Sequence, residues 1–525
     1  MSQQEPVALD SKAVAVQVED SLQRHDTERE AKADLTSLPR GGDVALALFH
    51  DGDDELAEPI DPEEERKLVR KIDFVLIPMF AVSYVFFFVD KTTLSYAAVF
   101  GIQADLHLAG ADYSWLSSLF YFGFLAWALP TNLLMQRLPV ARYLGANIML
   151  WGVLLMCQAA CTNFAALAAL RVLGGAAEAV ADPAFILVTS MWYTRREQPI
   201  KIGVWYTAVG LGVACGGLLG YGIGQIRGAL PSWKYEFVVI GACCTVWGAV
   251  VMLVLPDNPV TARFLTARER RVAVARLRDN QTGVENKTFR PRQMREAFLD
   301  YKTYFFFLIA FCQAVVNGGT SNFGTLITKG FGFDTLNTTL LQIPYGAFMF
   351  FVILLSVFIN DKLPPNNRCF MLAAFLLPNL AGAFGLHYVP DDRRVGRLIC
   401  YYLTGSINAS FVLLLSLQTA NIAGHTKKIV TSACMFIGYC AGNIAGPFFY
   451  KTDQAPVYPL GIWSMVVVLL LEIVVVIVLR FLLSTENKRR DRRQGQGQHE
   501  HRRPDALTAF GDMTDWENES FRYIY

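Results

Sequence analysis

The chain has 525 residues, of which 53% are hydrophobic and 13% aromatic against only 18% charged, and its mean hydropathy is +0.31. A balance that apolar excludes a soluble multidomain protein and places the chain in a bilayer. The formal net charge of +1 gives no reason to expect nucleic acid or another polyanion as partner. All ten cysteines lie in or beside apolar segments and read as small buried hydrophobes, so neither disulfides nor a metal site is expected.

In chain order, residues 1–70 are acidic, poor in aromatics and read as a disordered tail. They hold no apolar core longer than ALALF, so the first apolar segment is expected to remain as an uncleaved anchor. A bilayer core needs about 20 apolar residues per helix. Twelve segments qualify, near 74–103, 113–135, 143–162, 164–191, 201–226, 235–255, 303–328, 338–360, 369–389, 396–423, 429–450 and 460–483. Several are broken by Gly and Pro, as expected of helices that line a path through the membrane. Gly212, Gly216, Gly220 and Gly224 recur every fourth residue in the fifth, a groove for close approach of another helix.

The connection at 257–302 is long and basic and splits the chain six plus six. Within it, TARE at 266–269 is a capping-box pattern that should start a short helix over RRVAVARLR, tying the halves together. QRLPVAR (136–142) after the second segment and DKLPPNNR (361–368) after the eighth repeat at the same step of each half. The predicted fold is therefore all-α, with twelve transmembrane helices in two six-helix bundles at 71–256 and 303–484. Residues 485–525, opening on NKRRDRRQGQGQHEHRRP, read as a disordered basic tail held near the anionic leaflet. His499 and His501 fall in that tail and read as solvated rather than metal-binding.

Lys and Arg concentrate before the first helix and in alternate connections, which puts both termini in the cytoplasm. The plasma membrane is the default address of this multi-pass chain. On the expected outer face, Asn337-Thr338-Thr339 is a glycosylation pattern.

An unpaired ionised side chain near the bilayer centre costs roughly 2.5–3.5 kcal/mol, so those that remain usually face a protein interior or a watery cavity. Asp90 and Lys91 sit about two thirds of the way along the first helix. In the fourth, Arg171 and Glu178 are two turns apart and Asp182 follows one turn later, within about 40 degrees of the same face. Lys91 and Arg171 are suited to hold a carboxylate; Asp90, Glu178 and Asp182 are suited to carry a proton. The second half offers amides instead, with Gln313, Asn317, Asn322 and Asn408 able to hydrogen-bond a polar solute. Glu472, in the twelfth helix, has no evident cation on a neighbouring stretch.

Eight motifs carry a family resemblance: DKTTLSYA (90–97), PTNLLMQRLPVARYLG (130–145), LRVLGGAAEAVADPAF (170–185), MWYTRREQ (191–198), LPDNPVTARFLT (255–266), LRDNQTGVENKTF (277–289), QIPYGA (342–347), and AGHTKK followed by GYCAGNIAGPFFY. The sequence resembles the major facilitator superfamily, and within it the anion:cation symporter family, particularly its fungal allantoate permease-like branch. The resemblance implies two six-helix bundles around one central site, alternating access, and proton-driven uptake of small organic anions. It also implies that Asp90, Lys91, Arg171 and Glu178 take part in proton coupling and substrate recognition. Related branches usually show Arg where Lys91 stands, so this chain keeps the charge but loses the bidentate fork. The superfamily usually has Asp where this chain has Gln136 and Gly where it has Pro139. Arg137, Arg142 and Glu197 could supply an alternative pairing for the cytoplasmic gate, with Asp361 kept in the second half.

The function expected from the sequence is secondary active transport of a small organic anion (allantoate or another ureido acid, a vitamin acid, a carboxylate or a short peptide) with H+, by a monomer. Alternatives are a facilitator or exporter of a pathway metabolite and, from another class, a receptor or channel. No catalytic triad, metal cluster or phosphate loop stands out, so neither enzyme chemistry nor a cofactor is expected.

Overall fold

The computed structural model describes residues 61–135, 137–194, 197–278, 290–363, 365–496, 513–518 and 521–525. Among them are twelve helices long and apolar enough to cross a membrane: α1 Pro62–Val99, α2 Asp112–Met135, α3 Val140–Gln158, α4 Phe164–Trp192, α5 Ile200–Gly224, α6 Ser232–Val254, α7 Tyr301–Gly330, α8 Thr335–Asn360, α9 Arg368–Tyr388, α10 Arg394–Asn421, α11 Thr426–Phe449 and α12 Pro459–Arg493. A lipid core offers backbone groups no partners, so the chain satisfies them within helices.

Described residues form two compact units. The larger comprises 69–257 and 287–525; the smaller joins parts of 258–286 to the stretch ending at Leu68. In the smaller unit Thr266 and Glu269 form the capping box, with Thr266 N–H donating to Glu269 Oε2 at 2.8 Å and Glu269 N–H to Thr266 Oγ1 at 3.3 Å. The helix they start, Ala267–Arg278, pairs Arg268 with Glu64 at 2.8 Å and Arg276 with Glu65 at 3.1 Å.

Several spans are interrupted. α4 breaks at Ala179 and Val180 between helical pieces ending at Glu178 and starting at Ala181, because Pro183 lacks an N–H and its ring crowds the carbonyl of Ala179. α5 is interrupted at Thr207, α8 at Leu341, and α10 passes through a 3₁₀ turn at Thr404–Ser406. Beside the last three breaks stand Tyr206, Gln342 and Asn408, all facing the central hollows described below.

Two glycine stripes run along α5. Gly212 and Gly216 of the expected one meet α1, where a Cβ at Gly212 would lie 2.6 Å from Phe88 Cβ and one at Gly216 would lie 3.3 Å from the Tyr96 ring, while Gly220 and Gly224 lie against both Thr339 and Leu336 of α8 and the Tyr96 and Phe100 rings. A second stripe, Gly203, Gly210 and Gly217, repeats every seventh residue and faces α8 in the other half. There a Cβ on Gly210 would fall 2.5 Å from the Gly346 carbonyl oxygen, and one on Gly346 would fall 2.4 Å from the Gly210 oxygen. Backbone meets backbone across this seam.

Hydrogen bonds also join the halves at the end away from where α1 begins and α12 finishes. Ser95 and Thr325 hydroxyls meet at 2.5 Å, and Tyr113 OH donates to the Asn322 carbonyl at 2.8 Å. Ser114 and Ser118 donate to the carbonyls of Pro447 and Ile444 at 3.0 and 2.8 Å.

Both expected tails need correction where they are described. α1 begins at Pro62, with Asp61 accepting from Glu63 N–H at 3.1 Å and Glu63, Glu64 and Glu65 in the first turn, where acids favour a helix start. The helix of α12 continues to Gln496, and residues 513–518 and 521–525 pack back on the second half, with Asp515 and Tyr523 buried. The aromatic content of WENESFRYIY explains why this stretch does not behave as a solvated tail. Residues 1–60, 279–289 and 497–512, with His499 and His501, lie outside the described residues.

Gly346→Val is expected to destabilise the fold by about 1–3 kcal/mol through overpacking, whereas Gly222→Ala should be neutral, because a Cβ there meets nothing within 4 Å. Thermal unfolding of purified protein in detergent checks both.

Candidate functional site

The site assembles where α1 passes the break in α4. Lys91, 16% exposed, places Nζ 3.7 Å from Oε1 of Glu178, which is 3% exposed, and 4.9 Å above the Phe88 ring centroid. Lys91 lines a small polar hollow. A second small hollow shares Phe88, Asn317 and Asn408 with it.

Asp90 and Lys91 are neighbours in sequence but point about 100 degrees apart around the helix. Asp90 is buried; Trp151 Nε1–H of α3 donates to its Oδ2 at 3.1 Å, and its Oδ1 has no partner. Trp151 is itself held by stacking on Phe87, ring centroids 5.1 Å apart. A buried carboxyl with one indole donor is a group whose energy depends strongly on whether it carries a proton.

The break in α4 divides the expected acidic stripe. Glu178 closes one helical piece and meets Lys91, whereas Asp182 opens the next and accepts from Tyr84 OH at 2.7 Å. Arg171 is buried but lines neither hollow: its guanidinium lies 5.0 Å over the Phe120 ring, and Nε donates to the Leu116 carbonyl at 3.4 Å. Of the two cations expected at a carboxylate, Lys91 is the one that lines a hollow.

Across the hollows the amides sort themselves. Asn317 and Asn408 line both, with Asn317 Nδ2 donating to Asn443 Oδ1 at 2.9 Å. Gln313 lines the second hollow and donates to Glu472 Oε1 at 2.7 Å, so the partner of Glu472 is an amide rather than a cation. Asn322 lines neither hollow; its Nδ2 donates to the Gly318 carbonyl at 2.8 Å. Tyr206, Phe411 and Tyr439 complete the aromatic wall of the second hollow. Sequence patterning does not single out Trp151, Tyr84, Tyr206 or Tyr439; the available signal is a polar-tipped aromatic at membrane depth, where its hydroxyl or indole N–H needs a partner.

At the expected gate, the described residues show no ion pair between Arg137 or Arg142 and Glu197. Arg137 and Arg142 are exposed, and neither forms an ion pair among the described residues. Glu197 Oε2 accepts from Thr194 N–H at 3.0 Å. Gln136, Arg195 and Arg196 and the Asp361 side chain lie outside the described residues. An ion pair at that end of the first half joins Lys201 and Asp73 at 2.5 Å, with Tyr193 OH donating to the same carboxylate at 2.8 Å. Asp257 of the LPDNP motif caps the start of α3, accepting from Ala141 N–H at 2.9 Å. Asn337 is exposed, but its sequon lies within the helical piece Thr335–Leu340 and Thr339 is buried. Among the described residues no group of three or more His, Cys, Asp or Glu is placed to hold a metal ion.

Comparison with known proteins settles the family. The sequence profile described as Major Facilitator Superfamily matches residues 80–447. The chain belongs to this superfamily. Within it, this facilitator is 40% identical over 469 residues to the uncharacterized transporter C757.13 of Schizosaccharomyces pombe, covering 88% of each chain. It is 33% identical over 534 residues to the allantoate permease of Saccharomyces cerevisiae, covering 98% of each. To the thiamine pathway transporter THI73 of the same yeast it is 32% identical over 461 residues, covering 87% of this chain and 86% of the other. These relatives place it in the fungal allantoate permease-like branch. In fold it is similar to an inward-facing bacterial homologue of the human lysosomal transporter Spinster, with a TM-score of 0.58 at 15% identity over 78% of this chain and 96% of that one. The facilitator is a multi-pass membrane transporter and not an enzyme.

Trp151→Phe keeps the stacking surface but removes the donor to Asp90, and should lower unfolding stability by about 1–3 kcal/mol. Differential scanning fluorimetry in detergent at neutral pH checks the loss.

Proposed function

We propose that this facilitator takes up a small organic anion together with H+ by alternating access. The observation carrying this is that Lys91, which lines a hollow, is paired at 3.7 Å with Glu178 behind it. A half-buried cation that faces a hollow and has one carboxylate partner can exchange that partner for a substrate carboxylate, provided Glu178 takes up a proton as it lets go. Asp90, with its one indole donor, and Asp182, on Tyr84, are the further carboxyls of this relay. Asn317, Asn408 and Gln313 supply neutral hydrogen bonds to the rest of the solute, while Tyr206 and Tyr439 give it flat apolar walls. In this proposal Arg171 acts on the site through its charge and the packing of α2 against α4 rather than by touching substrate. The transporter works as a monomer in the plasma membrane with both termini in the cytoplasm. Its relatives' names put allantoate and thiamine-pathway compounds first in the panel to be tried.

The test is uptake into proteoliposomes under an imposed pH gradient across a panel of organic acids. Glu178→Gln is expected to abolish accumulation against a gradient while leaving substrate exchange intact; gradient-driven accumulation by that variant would refute the proton role of Glu178. Lys91→Ala should raise the half-saturating concentration at least about tenfold for acids, as losing a charge partner predicts, and far less for neutral analogues. An equal change for both classes would make Lys91 structural.

A further inference from the structure

The end of the chain occupies a built peptide site on the second half. Asp515 is fully buried; its carboxylate bonds Lys302 of α7 and lies 2.8 Å from Lys427 Nζ of α11. The two lysines are also held by Asp300 at 3.2 and 2.8 Å, and Lys427 by Glu296 at 2.7 Å. Thr514 donates to the other oxygen of Glu296 at 3.0 Å. Beyond this pocket two asparagines read successive backbone units. Asn487 of α12 donates to the Tyr523 carbonyl at 2.8 Å and accepts its N–H at 2.9 Å. Asn421 of α10 does the same for Ile524 at 2.7 and 2.8 Å. Arg490 binds the carbonyls of Asp515, Asn518 and Phe521 at 3.0, 3.2 and 3.0 Å.

This is more than a tail folded onto a surface. Paired donor and acceptor bonds from a side-chain amide to one residue's N–H and C=O imitate a strand partner and recognise an extended backbone. Alternation of those groups along a strand lets two asparagines on different helices grip neighbouring residues from opposite sides. Around them, Lys302 lies 4.1 Å over the Tyr523 ring and Lys427 4.7 Å over the Trp516 ring, contacts that favour an aromatic, acidic sequence. Gly424, at φ 91°, turns the chain between α10 and α11, and a Cβ there would meet Thr514 at 2.9 Å, so the turn is shaped to the segment lying on it.

We infer that this is a specific binding site for an acidic, aromatic peptide, whose ligand is the chain's own residues 513–518 and 521–525, and that its occupancy holds the ends of α7, α10, α11 and α12 in register for solute binding. Asn317, Asn408 and Tyr439 stand on three of those helices, so the second clause rests on the hollows being the substrate site. Burial alone would push the Asp515 carboxyl up, but Lys302 and Lys427, by charge and hydrogen bond, hold it below its ordinary value. A lowered value means that the ionised carboxylate favours docking throughout the range above about pH 4, and that this contribution is lost as pH falls through the docked value.

Hydrogen exchange on the purified full-length transporter tests the site without knowledge of the substrate. The Ala423 N–H donates to Asp515 Oδ1 at 3.4 Å; in Asp515→Asn, the amides of Ala423 and Ile524 should exchange at least about tenfold faster than in the unaltered chain, as removal of one partner from a buried ion cluster predicts. In a chain ending at Gln496, a synthetic peptide of residues 513–525 should restore slow exchange at Ala423, and the same peptide with Asn in place of Asp515 should not. Equal exchange in the unaltered and Asp515→Asn chains, or equal rescue by both peptides, overturns the site. Should the shortened chain fail to fold, Tyr523→Ala in the full chain supplies the second comparison, with faster exchange at Ile524 expected and unchanged exchange against the proposal. Uptake of the acid panel by Asp515→Asn should fall several-fold; unaltered uptake with fast exchange overturns the link to the hollows. Absence of uptake in the unaltered chain would tell against the transport reading alone, since the exchange data do not depend on it.

Discussion

A lysine facing a hollow inside a membrane protein is the constraint around which the first half is organised. Lys91 cannot be left alone at that depth, and the carboxylate that answers it comes from a helix that has just been broken. The interruption of α4 at Ala179 and Val180 ends the first helical piece at Glu178 and frees Asp182 to face Tyr84. Without Pro183 the two acids would share one continuous stripe and compete for the same cation. The break therefore gives one carboxyl a cation and the other a phenol, two different electrostatic settings four residues apart.

The second half answers with neutral chemistry. Its contribution to the hollows is amide, hydroxyl and aromatic, and Glu472, buried behind the second of them, is met by Gln313 rather than by charge. Neutral hydrogen-bonding groups orient a solute without adding to the cost of desolvating it. Charge from one bundle and shape from the other is a division of labour compatible with the proposed alternating access, because among the described residues no ion pair between the halves at the hollow would have to be broken.

Much of this was legible in the chain itself. Runs of about 20 apolar residues fix the number of spans, since the bilayer leaves the backbone no alternative, and the charges inside those runs pointed to Asp90, Lys91, Arg171 and Glu178. Periodicity could not show which way each one faces. Asp90 and Lys91 are adjacent in sequence yet turn to different neighbours, and Arg171, though on the stripe of Glu178, is retained by the ring of Phe120 and the carbonyl of Leu116. Relative helix rotation decides such matters, and it is set by packing between distant segments. The packing of the closing residues is not legible for a different reason: the basic run before them dominates the composition, while Asp515, Trp516 and Tyr523 act through partners on α7, α10, α11 and α12.

The seven-residue glycine stripe on α5 has a mechanical consequence. Where Gly210 and Gly346 touch, there are no interlocked side chains whose rotamers must change before one bundle turns against the other. In the proposed alternating-access cycle such a line would resist tilting little, while the serine and threonine hydrogen bonds at the far end are the contacts that would have to open. The seam can serve as a bearing about which the bundles roll, and any bulk placed on it would act as a brake rather than as a blocked pore.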